Sequence, residues 1–306
     1  MLFRSVRTLA VLGPTASGKS AVAMALAEGH PGLEIVSIDA MQVYRGLDIG
    51  TAKPSADDRR QVPHHLLDVV EPSEEFTVAR FQESFVAVRR DIESRGATPL
   101  LVGGTGLYLR AAVDGLDVPG NWPDVRARLE AEVESRGSET LHARLARLDA
   151  VAAARMEPSN ARRVVRALEV VEGSGRPFSS YGPGLDDYPP SDVVQVALRW
   201  PRNVLTNRIE NRIRSMVAHG WLDEVASLRS VRLSRTARAA LGYEQLLDVV
   251  EGRRGLESAI EEIALRTRQF AVRQERWFRR DPRITWIDVV SDPVTESLPV
   301  VERLLA

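Results

Sequence analysis

Gly13-Pro14-Thr15-Ala16-Ser17-Gly18-Lys19-Ser20 fits the pattern G-x-x-x-x-G-K-[ST] and constrains the fold more than any other stretch of the chain. Such a loop requires a buried strand before it and a helix start after it. Residues 8–12 (Thr-Leu-Ala-Val-Leu) read as a short buried strand and residues 21–27 (Ala-Val-Ala-Met-Ala-Leu-Ala) as a helix, so both flanks are present. Glycines let the backbone approach phosphate oxygens, and amides at the helix start point at the anion. Gly13, Thr15, Ala16, Ser17 and Gly18 would form the cradle, Lys19 would neutralise a terminal phosphate, and the Ser20 hydroxyl would ligate a magnesium ion. The alternative is a glycine turn that only connects strand to helix, and a match of this length at the first strand of an α/β chain argues against it. The loop alone does not choose among nucleotide hydrolases, small-molecule kinases and transferases that use pyrophosphate esters.

Strand-like runs recur between helical ones, at 34–38, 65–70, 99–102, 193–198 and 284–287, with a helix over Val78–Ser94 between two of them. This alternation predicts a mostly parallel sheet flanked by helices, a phosphate-loop α/β core. From about 119 to 190 the alternation stops. Helices are expected over Pro123–Arg136, 139–148 and 161–172, the last stopped by Gly173-Ser174-Gly175-Arg176-Pro177, with 181–190 as the return linker. The expected organisation is a catalytic core of 1–118 plus 191–306, with a helical insertion at 119–190. Long amphipathic helices over 203–219 and 256–280 are placed on the core.

Composition narrows the classes. A chain of 306 residues has room for a large α/β domain with an appendage, and the absence of cysteine excludes disulfides, thiolate nucleophiles and cysteine zinc sites. No run approaches the ~20 apolar residues of a membrane span. Met1-Leu2-Phe3-Arg4 enters the first strand without a signal-peptide pattern, so a soluble cytoplasmic protein is expected, without a membrane partner and acting as a monomer. The net charge of −1 favours no partner, but its distribution does. Six arginines lie between Arg266 and Arg280 against one acid, Glu275, and Arg162, Arg163 and Arg166 open a helix in the insertion. Local clusters of this kind can meet phosphodiesters even in a neutral protein. For 266–280, Trp277 and Phe278 also suit a buried, salt-bridged face.

Two further loops stand at strand ends. Asp39 directly follows the second strand, where the carboxyl edge of a doubly wound sheet opens on its ligand; there a carboxylate can serve magnesium or act as a general base, or it can cap the next turn. Gln42 could pair with a base edge, and 46–54 forms a second polar loop beside it. Gly103-Gly104-Thr105-Gly106 follows the fourth strand-like run, with glycines that permit close approach of backbone to ligand.

The phosphate loop, Asp-Ala-Met-Gln-Val-Tyr-Arg-Gly-Leu-Asp-Ile-Gly-Thr-Ala-Lys-Pro at 39–54, and Leu-Val-Gly-Gly-Thr-Gly-Leu-Tyr at 101–108 resemble the signatures of bacterial tRNA dimethylallyltransferases. So do Arg166-Ala167-Leu168-Glu169, Gly242-Tyr243 and residues 267–274, and the resemblance spans nearly the whole chain in order. It implies transfer of a dimethylallyl group from dimethylallyl diphosphate to the exocyclic amine of the adenosine next to the anticodon. It implies Asp39 as the catalytic aspartate, Thr105 at the reaction centre, and Lys19 with Arg208 on the diphosphate held by residues 13–20. It further implies tRNA contacts from Asp39, Ala40, Met41 and Gln42, from Arg126, and from Ser159, Asn160, Ala161, Arg162 and Arg163. Ala40 stands where the family has serine, and Ser159-Asn160-Ala161 departs from its usual acidic version. A small-molecule kinase and a prenyltransferase acting on free adenine nucleotides share parts of this pattern. The first would need a nucleotide-base site, and the second needs no anticodon-binding surface.

Overall fold

The computed structural model describes residues 8–182, 184–185 and 187–305. Met1-Leu2-Phe3-Arg4, and Pro183 and Asp186 of the linker, lie outside the described residues. The chain divides into two units, one formed by 1–114 with 188–306 and the other by 115–187.

The first unit is built on a six-stranded sheet: β1 (Leu9–Leu12), β2 (Leu33–Ser37), β3 (His64–His65), β4 (Thr98–Gly103), β5 (Val194–Arg199) and β6 (Ile284–Asp288). Their order across the sheet is β3-β2-β4-β1-β5-β6 and every pairing is parallel. A parallel strand covered on both faces has no wet side, which is why β1 is apolar throughout and every residue in it is buried. Register fixes what the strands deliver to their carboxyl edge. Leu12 lies beside Gly103 on one side and Ala197 on the other, and Ser37 lies beside Val102. The loops that leave β1, β2 and β4 therefore start level with one another.

The run at 65–70 is not a strand. Pairing stops after His65, because Leu66 and Asp68 take left-handed backbone conformations (φ 60° and 54°) that an extended ladder cannot contain. Asp68 is drawn into ion pairs with Lys53 (2.6 Å) and Arg59 (2.8 Å), and the backbone of 68–70 bonds instead to 42–45, where Tyr44 and Val70 form an isolated parallel bridge.

The second unit is helical: Pro123–Arg136, Ser138–Leu148, Ala150–Ala154 and Ala161–Ser174. The short third helix was not anticipated; Asp149 caps it by accepting from the Ala152 amide (3.0 Å). Leu129, Leu141, Leu145, Val164 and Leu168 are fully buried in its core. The last helix runs through Gly173 rather than stopping there, since a side chain at 173 would collide with the Trp122 ring; the stop is Gly175, left-handed at φ 71°. Among the described residues no helix is long and apolar enough to cross a membrane.

Candidate active site at the carboxyl edge of the sheet

The loop 13–20 turns β1 into the helix Lys19–Gly29. Gly13 has φ 149° and Gly18 φ 94°, and a Cβ on Gly13 would lie 2.7 Å from Ser17 Oγ, so glycine is required at the first turn for room as well as for conformation. The Ser17 hydroxyl is fully buried with no hydrogen-bond partner. A buried hydroxyl left unpaired is costly, and such a group in a loop of this kind marks a place where a polar ligand would be accommodated.

The loop is braced from three directions. Trp200, just past β5, donates its indole N–H to the Ser17 carbonyl (2.9 Å). Gln274 of the helix Leu256–Phe278 accepts from the Thr15 amide (2.9 Å) and donates to the Gly104 carbonyl (2.9 Å), joining the loops after β1 and β4. Arg208, on the helix Arg202–Ala218, donates Nε to the Ala16 carbonyl (2.9 Å) while its guanidinium lies 4.3 Å from the centroid of the Trp200 ring. One helical turn on, Arg212 reaches Thr15 Oγ1 (3.4 Å). Sequence reasoning singled out Arg208 and missed Arg212 and Gln274. The i, i+4 spacing of Arg208 and Arg212 was a legible signal; Gln274 lay in the signature stretch 267–274, but nothing in the sequence tied it to the phosphate loop.

Lys19 Nζ donates to the Pro14 carbonyl (3.4 Å), and none of Lys19, Arg208 and Arg212 enters any of the described ion pairs. Burial pulls the Lys19 ammonium down to about 8, with Arg212 adding repulsion and Asp39 partly opposing both. Burial likewise lowers Arg212, and Asp39 again works against it. Positive charge is concentrated here at a cost in solvation, an arrangement suited to a multiply charged anion.

Asp39 stands one residue beyond Ile38, whose amide extends the sheet by bonding to the Val102 carbonyl (2.9 Å). Its Oδ1 accepts from the Met41 amide (2.9 Å), the local turn expected of a capping aspartate, which leaves Oδ2 outside that bond. Thr105 Oγ1 accepts from the Ala40 amide (3.2 Å), so the threonine of the β4 loop and the aspartate of the β2 loop share one edge. Gln42 is more committed than a base-reading amide would be. Its Oε1 accepts from Ser37 Oγ (2.9 Å), and its Nε2 donates to the Thr51 and Ala52 carbonyls (3.2 and 3.1 Å).

The helix Leu256–Phe278 has the buried, salt-bridged face that Trp277 and Phe278 suggested. Trp277 packs on Gly106, where no side chain fits, and Phe278 is fully buried. Arg266, Arg268 and Arg279 pair with Glu262, Glu210 and Glu275, whereas Arg273 lies over the Phe270 ring.

In the helical unit, Ser159, Asn160, Arg162 and Arg163 are exposed at the start of the helix Ala161–Ser174, and Asn160 caps it through the Arg163 amide (3.3 Å). Arg126 is placed differently: Nη1 pairs with buried Glu169 (3.0 Å) and Nε with Glu130 (3.1 Å). Glu169 also accepts from the Trp122 amide (2.9 Å) and pairs with Arg166 (3.0 Å).

A parallel α/β sheet with a phosphate loop after β1, a cluster of cations beside it and a carboxylate at the end of β2 has the make-up of an enzyme that works on a phosphorylated substrate. The family described as IPP transferase matches residues 42–281, and that described as isopentenyl transferase matches residues 6–69. The chain is 50% identical over 310 residues to the tRNA dimethylallyltransferase of Kineococcus radiotolerans, covering 98% of this chain and 97% of that one. It is 50% identical over 287 residues to that of Thermobifida fusca, covering 91% and 89%. The crystal structure of the tRNA isopentenylpyrophosphate transferase of Bacillus halodurans superimposes with a TM-score of 0.69 at 38% identity, over 97% of this chain and 95% of the other. A eukaryotic dimethylallyltransferase described as acting on tRNA gives 0.78 at 25% identity, over 99% and 78%. The chain belongs to the tRNA dimethylallyltransferase family and is a prenyltransferase.

Proposed function

We propose that this chain transfers the dimethylallyl group of dimethylallyl diphosphate to the exocyclic N6 amine of the adenosine on the 3′ side of the anticodon in tRNA, with release of diphosphate. The observation that carries this reading is the pairing, along one sheet edge, of a cation cluster with no carboxylate partner and a carboxylate, Asp39, one residue past the end of the β2 ladder. The amine nitrogen attacks the first carbon of the allyl chain as the bond from that carbon to the diphosphate oxygen breaks. Negative charge develops on the leaving diphosphate, where Lys19, Arg208, Arg212 and the amides of Gly18, Lys19 and Ser20 at the helix start stabilise it. The proton leaving the amine goes to Asp39, and Thr105 holds the Ala40 turn beside it.

Magnesium suits this site as a rider on the diphosphate. The residues contribute the Ser20 hydroxyl, and among the described residues no cluster of three His, Cys, Asp or Glu could hold a metal without the substrate. When bound, it supplies charge neutralisation to the leaving group.

The adenine must be unstacked from the anticodon loop to enter the site. Residues 39–42 would meet it, Gln42 mainly as a brace of the loop that carries Asp39. Ser159 to Arg163 would hold anticodon-stem-loop phosphates at an exposed helix start, and Arg126 would offer its remaining Nη2. A monomeric enzyme working in the cytoplasm, where its tRNA substrate would be met, completes this reading.

Incubation with dimethylallyl diphosphate and unmodified tRNA, followed by nucleoside mass analysis, should give an adenosine heavier by one dimethylallyl group. Phosphate transfer from ATP to a small acceptor would overturn the reading in favour of a kinase. Prenylation of free adenine nucleotide but not of tRNA would assign the other prenyltransferase.

A further inference from the structure

The loop 47–53 begins a few residues beyond Asp39 and is held from outside by a single carboxylate. Glu224, on the helix Trp221–Ser227, accepts from three consecutive backbone amides: Asp48 (2.9 Å), Ile49 (2.6 Å) and Gly50 (3.1 Å). A fourth donor, the Tyr243 hydroxyl, reaches the same carboxylate at 2.6 Å. Consecutive amides converging on an anion form a concave nest, and charge-assisted bonds to it are about twice as strong as neutral ones. Burial and the neighbouring carboxylate push the Tyr243 phenol up, which keeps it a donor. Gly50 leaves no alternative packing, because a side chain there would meet the Trp221 indole and come within 2.7 Å of the Tyr243 ring.

What the loop holds in turn is Gln42. The carbonyls of Thr51 and Ala52, immediately after the three captured amides, accept both Nε2 hydrogens of Gln42, and the other end of that amide is fixed by Ser37 at the end of β2. The Asp39 turn lies between Ser37 and Gln42. A second anchor works from the opposite side. The Lys53 side chain, only 1% exposed, donates to the Tyr44 carbonyl (2.7 Å) and pairs with Asp48 (2.5 Å) and Asp68 (2.6 Å).

We propose that Glu224 is a positioning residue for the transfer reaction: by gripping the 48–50 backbone it fixes Thr51 and Ala52, through them Gln42, and so the turn that aims the Asp39 carboxylate. Glu224 touches neither substrate nor reacting atom in this scheme. The inference rests on Asp39 being the proton acceptor.

The test is steady-state kinetics on full-length Glu224→Gln, Tyr243→Phe, Gln42→Ala and the double variant Glu224→Gln/Gln42→Ala, with Asp39→Asn in parallel. An isosteric amide cannot accept three amides and a phenol together, and misplacement of a catalytic group on the scale of 1 Å costs up to about 100-fold. Glu224→Gln should lower kcat about 10- to 100-fold while the KM for dimethylallyl diphosphate stays within about twofold, and Tyr243→Phe, which keeps the carboxylate, should lose only about two- to fivefold. Because the influence passes through Gln42, the double variant should be no slower than the slower single variant. Amide hydrogen exchange should quicken at Asp48, Ile49 and Gly50 in Glu224→Gln and stay unchanged in β1 and β4. A folded Glu224→Gln with parental kcat, or a double variant whose losses multiply, would overturn the proposal while leaving a loss in Asp39→Asn intact. Parental turnover in Asp39→Asn would instead overturn the assignment of the base on which it rests.

Discussion

Arginines beside the phosphate loop are placed differently from most of those in the helical unit. Beside the phosphate loop, Arg208 and Arg212 are directed at carbonyl and hydroxyl oxygens of 15–16 and enter none of the described ion pairs, while elsewhere in the same unit Arg95, Arg199 and Arg268 pair with acids. In the helical unit, Arg126, Arg128, Arg144 and Arg166 are paired with glutamates, chiefly Glu169 and Glu172, whereas Arg162 and Arg163 are exposed at a helix start and, like Arg147 and Arg176, enter none of the described ion pairs. A cation whose charge is already met by a carboxylate serves the fold; one left against neutral dipoles is available to an anion. The count of arginines in a segment therefore says less about ligand binding than the position of the nearest glutamate.

The largest effect is expected where the cation cluster meets the carboxylate. Asp39→Asn keeps the Oδ1 acceptor for the Met41 amide but cannot take a proton, so turnover should fall about 10²- to 10⁴-fold with both substrates still bound, as single-turnover kinetics and equilibrium binding would show. Near-parental turnover would reduce Asp39 to a turn cap.

Lys19→Ala should weaken dimethylallyl diphosphate binding by about 10- to 100-fold, the value of one charge-assisted contact. The lowered pKa adds a sign that can be checked. The folded value of about 8 lies below the ordinary 10.5, so the unfolded chain holds the proton longer, and this group makes the protein more stable as pH rises from 8 towards 10.5. Anion binding runs the other way. Affinity for the diphosphate should fall as pH passes about 8 in the free enzyme, and Lys19→Arg should remove that inflection in isothermal titrations.

Arg126→Ala separates fold from binding in the helical unit. It removes one of two guanidinium partners of buried Glu169 while Arg166 and the Trp122 amide remain, so a loss of about 1–3 kcal/mol is expected by urea denaturation, with unchanged affinity for the diphosphate. The smallest change is expected from Arg162→Ala/Arg163→Ala. Stability should hold, tRNA should bind a few-fold more weakly, and the salt dependence should become shallower by about 1.4 if both arginines contact phosphates of an unpaired loop. An unchanged salt slope would assign these two cations to solvent.

Much of the fold was legible from residues alone because its signals are local. A glycine-rich loop between an apolar run and a helix start specifies strand, turn and helix within one stretch, and fully buried parallel strands have no polar alternation to disguise them. The break of strand character at Leu66 was not legible, since an apolar run carries no mark of two left-handed residues; Asp68 turns away to meet Lys53, a partner brought in by tertiary packing. The same limit applies in the site. Gly13 to Ser20 were read from their own neighbourhood, and Asp39 and Thr105 from their places at strand ends, with their roles implied by the family resemblance. Only folding decided that Arg126 is paired with Glu169, that Gln42 braces a loop, that Gln274 ties two strand-end loops together, and that Glu224 grips amides more than 170 residues away in sequence. Short-range sequence determines where a backbone turns and which groups it presents; whether a charge is spent or left for a ligand depends on what long-range packing places beside it.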